Sequence, residues 1–158
     1  MDLPEVLAIE RTSYVNPWTA ELFLAEMAKS HAGQRVARLA TGLEAGTIVG
    51  YICYWLVVPE IEIVNLAVHA AHRGCGRGRK LLLHALGLAY NKGVRLATLE
   101  VRRGNEAARF LYERLGFRTV AERANYYAEY GDAALILQLQ MDHRWWHRWQ
   151  QNCSLPRR

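Results

Sequence analysis

Arg73, Gly76 and Gly78 form an Arg-x-x-Gly-x-Gly pattern inside the run Arg73-Gly74-Cys75-Gly76-Arg77-Gly78-Arg79-Lys80. The chemistry of that pattern is anion binding. Glycines alternating at 74, 76 and 78 let the backbone pass close beneath a ligand with its N–H groups bare. Leu81, Leu82, Leu83 and Leu86 follow at once, so the loop runs into the first turn of an amphipathic helix. Bare N–H groups and the positive end of the helix dipole coincide there and favour phosphate. Arg73, Arg77, Arg79 and Lys80 add mobile charge. No Gly-Lys-Ser/Thr tripeptide occurs, which excludes the Walker loop. Arg79 and Leu81 stand where a dinucleotide fingerprint needs its third glycine. The pattern points to a phosphorylated cofactor, with a plain turn as the alternative. Two further side chains are of types that transfer protons: Glu100, the one acid in the apolar run 94–101, and Tyr112 on the stripe of a later helix.

The elements that must position these residues can be followed along the chain. Leu3, Val6, Leu7 and Ile9 make a short helical face, interrupted at Asn16-Pro17-Trp18. Thr19 is then an N-cap for a second helix carrying Leu22, Phe23, Glu26 and Met27. Residues 34–41 alternate as a half-buried strand does, 42–46 turn, and 47–58 are apolar and β-branched enough for a central strand. Pro59 ends that strand, and 60–68 form the next strand of a hairpin. The helix after the glycine-rich loop closes at Gly93, and 94–101 reads as a strand buried on both faces. Gly104-Asn105 opens a helix with Ala108, Leu111, Tyr112 and Leu115 at i, i+3, i+4 and i+7, and Gly116 is its C′ stop. Two strands, 117–127 and 133–141, flank a turn at Tyr130-Gly131-Asp132. The class is α/β (α+β): a mixed central sheet flanked by helices in a single domain over residues 1–142, then a basic, Trp-rich tail at 143–158.

Composition bounds the function classes. A length of 158 residues suits one domain. No apolar run is long enough to span a membrane, and the chain opens without a basic-then-apolar leader, so a cytoplasmic protein is expected. Cys53, Cys75 and Cys153 form no CxxC or Cys/His cluster, so neither a disulfide framework nor a metal site is expected. A net charge of +5 and a pI near 9.3 suit a polyanionic cofactor or an RNA-rich neighbourhood equally.

With Leu66-Ala67-Val68 before it, the Arg73-x-x-Gly76-x-Gly78 loop resembles the pyrophosphate-binding motif of the GCN5-related N-acetyltransferases (GNAT family). Leu99-Glu100-Val101-Arg102, Asn105, Ala107-Ala108, Leu111-Tyr112-Glu113, Leu115-Gly116-Phe117 and Asn125-Tyr126-Tyr127 extend the likeness, as do Asn65 and Pro17-Trp18. Together they are similar to the RimI-type ribosomal-protein-alanine N-acetyltransferases over roughly residues 2–142. The resemblance implies a GNAT-type acyl-CoA N-acyltransferase domain lacking the usual N-terminal strand, with acetyl-CoA as co-substrate and no metal. It implies that the 73–79 loop, Cys75 included, and Asn105 contact CoA, and that Leu66, Ala67 and Val68 hold the pantetheine arm through their backbone. Glu100 is implied as general base and Tyr112 as general acid. Trp18, Tyr126 and Glu62 are candidates for holding the acceptor, a protein N-terminus expected to be the alanine of a bacterial small-subunit ribosomal protein.

The chemistry agrees with those residue types. An α-amine has a reference pKa near 7.7–8.0 and lysine about 10.4, so deprotonation at pH 7 costs about 1–1.4 kcal/mol for a terminus and roughly 4.6 kcal/mol for lysine. One carboxylate within reach suffices for the former. A strand N–H near Ala67–Val68 is suited to an oxyanion, and a tyrosine hydroxyl can protonate the leaving thiolate. Plainer roles stand beside these: Tyr112 as core, Asn105 as an N-cap, Glu100 as an ion-pair partner of Arg102 or Arg109, Glu60 and Glu62 as solvated strand charges. For function the alternatives are acetylation of small amines or other N-termini, or a non-catalytic module binding CoA or RNA. The tail is expected to pack on its own domain or on a second copy in preference to stacking on RNA.

Overall fold

The structure, a computed structural model, describes residues 3–127 and 131–150, with the backbone alone at 125–127. Its first element is helix α1 (Leu3–Ser13). Helix α2 (Ala20–Met27) begins where Thr19 caps it, the Leu22 N–H donating to Thr19 Oγ1 at 3.3 Å. Strands β1 (Ala32–Arg38), β2 (Ile48–Val57) and β3 (Glu60–Val68) follow, then a 3-10 turn at Ala70–His72 and helix α3 (Arg77–Asn91). The remaining elements are β4 (Leu96–Arg102), α4 (Glu106–Leu115), β5 (Arg118–Tyr127), β6 (Asp132–Gln140) and α5 (His143–Gln150). The strands form one mixed sheet in the order β1-β2-β3-β4-β6-β5. Tyr130, of the expected β5–β6 turn, lies outside the described residues, as do residues 151–158 and Cys153 among them.

The chain divides into two compact units. The first comprises the residues up to Leu56 with Val64–Ala85. Its core joins Val6 and Ile9 of α1, Phe23 of α2, Ile48, Tyr51 and Cys53 of β2 and Ala67 of β3, with Trp18 packed against them. β1 pairs antiparallel with β2 from Ala32↔Trp55 to Arg38↔Ile48.

The second unit comprises Val57–Ile63 with the residues from Leu86 onward. Here β3 and β4 run parallel, with register from Glu60↔Leu96 to Ile63↔Leu99. β4 pairs antiparallel with β6, and β6 with β5. One expectation needs correction: β4 is not buried on both faces. Ala97, Leu99 and Val101 are buried while Leu96, Thr98, Glu100 and Arg102 are half-buried. Only one face is packed, and the polar residues of the strand lie on the other.

α4 starts as its sequence dictates, since Asn105 Oδ1 accepts the Ala108 N–H at 3.2 Å. It stops at Gly116, whose φ of 102° is cheap only without a Cβ. In α5, Trp145 is buried and donates its indole N–H to Leu115 O at 2.7 Å, while Trp146 stacks on Tyr90 of α3 at 4.7 Å.

Candidate active site

In the first unit the glycine-rich loop bridges the 3-10 turn and α3. Gly74 and Gly76 both have φ +75°, and a Cβ added at either would meet nothing within 4 Å, so both positions border open space. The intrahelical ladder of α3 begins with the Lys80 N–H donating to Gly76 O at 3.0 Å. The N–H groups of Arg77, Gly78 and Arg79 therefore belong to the first turn, which has no intrahelical acceptors. No acidic residue sits in that turn. Two of the arginines are not the mobile charges the sequence suggests. Arg73 donates through Nε to Val68 O at 2.8 Å and through Nη2 to Ser13 Oγ at 3.2 Å. Arg77 donates to His72 O at 3.3 Å. They brace the loop, and Cys75, exposed, adds only a weak contact to Arg73 O.

The same unit holds the end of β3. The His69 N–H donates to Val49 O at 2.9 Å, and the backbone groups of successive residues alternate between the β2 side and the opposite edge. Leu66 and Val68 turn to that opposite edge. There the Tyr14 hydroxyl takes Leu66 O at 2.8 Å and Arg73 takes Val68 O. Their N–H groups share that edge, whereas Ala67 is buried with its side chain in the core.

Sequence reasoning missed what lies beneath. Glu10 is fully buried on α1. It accepts from the Tyr51 hydroxyl, from Asn65 Nδ2 at 3.3–3.4 Å and from the Trp18 N–H at 2.8 Å. An acid on an apolar helix stripe is the signal that such donors must exist. Burial first, then the neighbouring Tyr14 and Glu10, pushes the Tyr51 hydroxyl far up, so Tyr51 stays a donor. Burial likewise holds the Cys53 thiol up at about 12. Trp18, proposed to contact the acceptor, is thereby anchored through its backbone while its ring packs edge-on against Phe23 at 5.1 Å.

In the second unit the open face of the sheet gathers carboxylates. Glu62 pairs in register with Thr98, and Glu60 and Glu100 lie two residues away along β3 and β4, so all point to that face. The Thr98 hydroxyl donates to Glu60. Burial first, then Glu60 and Glu100, raises Glu62 above the usual carboxylate range, with Arg123 opposing. Glu100 is ion-paired, but with neither candidate partner: Arg123 of β5 holds it at 2.9 Å, while Arg102 pairs with Asp132 and Arg109 with Glu113. Tyr112 is 7% exposed and packs edge-on against Phe117 at 5.7 Å, so its ring serves the core whatever its hydroxyl does. Asn105 caps α4. Tyr126 lies in β5, but its side chain is outside the described residues.

Loop and strand edge thus lie in the first unit and the carboxylate face in the second. The chain belongs to the acetyltransferase (GNAT) family, whose model matches residues 3–117. Among relatives, the [ribosomal protein bS18]-alanine N-acetyltransferase of Haemophilus influenzae is 34% identical over 126 residues, 80% of this chain and 82% of that protein. Among solved structures, the ribosomal-protein-S18-alanine N-acetyltransferase from Escherichia coli matches with a TM-score of 0.79 at 30% identity, covering 89% of this chain and 88% of that one. Ard1 from Thermoplasma volcanium matches with a TM-score of 0.80 at 26% identity, covering 90% and 93%.

Proposed function

We propose that the protein transfers the acetyl group of acetyl-CoA directly to the N-terminal α-amino group of a protein, that of an alanine on a bacterial small-subunit ribosomal protein. The observation that carries this reading is the carboxylate face of Glu60, Glu62 and Glu100, which attracts a cation and offers it a proton acceptor. The Haemophilus influenzae and Escherichia coli relatives, named for ribosomal-protein alanine acetylation, support the choice of acceptor.

The residues present suit acetyl-CoA. The open space beside Gly74 and Gly76 would be filled by side chains at those positions, and the first-turn N–H groups of α3 would hold a pyrophosphate with Arg79 beside them. Asn105 is assigned a further CoA contact. The edge N–H groups of Leu66 and Val68 would hold the pantetheine arm, with Ala67 fixing that stretch in the core. When bound, acetyl-CoA supplies an acetyl group activated as a thioester.

Every other part belongs to the chain. Glu100 takes the proton of the incoming ammonium, directly or through water, once Arg123 yields the carboxylate. Tyr112 returns a proton to the departing sulfur. Glu62 and Glu60 favour basic residues that follow the terminus, and Trp18 and Tyr126 are the further residues assigned to the acceptor. Since the α-amine requires only about 1–1.4 kcal/mol of deprotonation at pH 7, against roughly 4.6 kcal/mol for lysine, a single carboxylate selects the terminus.

The test is mass spectrometry on paired peptides near pH 7. A peptide beginning Ala-Arg should gain one acetyl group at its α-amine, and a matched peptide with a blocked terminus and a free lysine should gain none. Comparable turnover of the blocked peptide would overturn the N-terminal reading.

A further inference from the structure

The second unit has another concavity, a groove of about 550 Å³ along β5, the end of β6 and α5. Arg118, Arg144 and Arg148 line it, with Gln138, Gln140 and Asp142. Three guanidinium groups thus face a single carboxylate, and Asp142 is already engaged, its Oδ1 accepting the Trp145 N–H at 2.7 Å at the start of α5. Arg144 and Arg148 are four residues apart, on one face of α5 and ~6 Å apart along its axis. Arg118 stands on the β5 wall, its guanidinium donating to Phe117 O at 3.1 Å. Neither Arg118 nor Arg144 forms an ion pair with another described residue, and all three arginines are exposed.

The aromatic residues of α5 decide what kind of anion fits. Trp145 is buried with its N–H on Leu115 O, and Trp146 is stacked on Tyr90 and wedged against Gly87. Neither offers a platform for a nucleobase, so the residues that line the groove present charge and amide donors without a stacking surface. That arrangement reads a backbone, not bases. A nucleic-acid strand presents one negative charge at every residue, which two basic walls match. An acidic peptide in extended form turns alternate side chains to one side at a similar spacing, so competition with poly-glutamate separates the two polyanions.

We infer that this groove binds single-stranded RNA through its phosphodiester backbone, without sequence preference. The site does not depend on the identity of the acetylated amine and uses none of the residues assigned to acyl transfer. Counterion release then sets its signature. At about −0.7 per contact for a single strand, three contacts give a slope of about −2 in log K against log salt, a roughly 20-fold loss between 50 and 200 mM.

The experiment is fluorescence anisotropy of a short labelled oligouridylate titrated with the full chain at several salt concentrations, with and without saturating CoA. The expected result is that slope, unchanged by CoA. Arg118→Gln/Arg144→Gln/Arg148→Gln should abolish the salt-dependent binding while acetylation of a short peptide and the circular dichroism spectrum stay as they were. Wild-type binding by the triple variant, displacement of the RNA by CoA, or equal competition by poly-glutamate would each overturn the assignment.

Discussion

Replacing Glu10 by alanine tests whether the buried carboxyl group holds the first unit together. The substitution removes the acceptor for the Tyr51 hydroxyl and the Asn65 amide, which are 2% and 8% exposed, and for the Trp18 N–H. A stranded buried donor costs about 1–3 kcal/mol. The Asn65 contacts are long, at 3.3–3.4 Å, and belong at the low end. With the cavity left by the side chain, the loss should be on the order of 3–5 kcal/mol. At about 2–4 °C per kcal/mol for a chain of this size, Tm should fall by on the order of 10 °C. Glu10→Gln keeps one acceptor oxygen and should lose about half as much. Urea titration with an unchanged m-value measures both. Because Trp18 is tethered through the same group, KM for the peptide should rise in either variant under conditions where it is folded. A loss below about 1 kcal/mol for Glu10→Ala would mean that water serves those donors as well as the carboxyl group does, and the reasoning would fail.

Three further outcomes are expected. Glu100→Gln should lower kcat by a factor on the order of 10² to 10⁴ near pH 7 with CoA affinity intact, and Tyr112→Phe should slow turnover likewise, both read in steady-state assays. Gly76→Asp places a carboxylate at the proposed pyrophosphate position and a Cβ at φ +75°, so calorimetry should detect no CoA binding. The folded protein holds the Glu62 proton above the ordinary value of 4.5, so it binds more protons than the unfolded chain between the two pKa values. Stability from this group is therefore lost as pH rises from about 4.5 through the raised value, and Glu62→Gln should flatten that decline in denaturant titrations across pH.

What the sequence made legible was local. Thr19, Asn105 and Gly116 mark helix ends by chemistry acting within a few residues, and each does so in the structure. The glycine-rich loop was legible because positive φ favours glycine wherever the chain goes next. What was not legible depends on register between distant strands. Arg123 reaches Glu100 only because β5 and β4 both pair with β6, Arg123↔Ala134 and Glu100↔Ile136. No spacing rule favours Arg123 over the nearer Arg102. The Glu10 donors come from β2, β3 and the α1–α2 connection, which no helical wheel brings together. Arg73 and Arg77 were read as mobile because a sequence does not show which backbone carbonyls a folded loop leaves within reach.

If Glu100 is the base proposed above, Arg123 means that it does not wait bare for its acceptor. Its guanidinium is anchored to β5, 2.9 Å from the carboxylate, so an incoming ammonium must exchange with a cation that cannot diffuse away. Such a tethered rival acts at a fixed effective concentration, whatever is dissolved around the protein. The apparent affinity of every amine is then scaled by the fraction of time the carboxylate is released. That scaling weighs most on an acceptor that brings an amine alone. On the proposed reading, an acceptor whose next residue also reaches Glu60 or Glu62 would stay held while the exchange takes place, and the internal ion pair would act as a filter that favours extended basic termini over small amines.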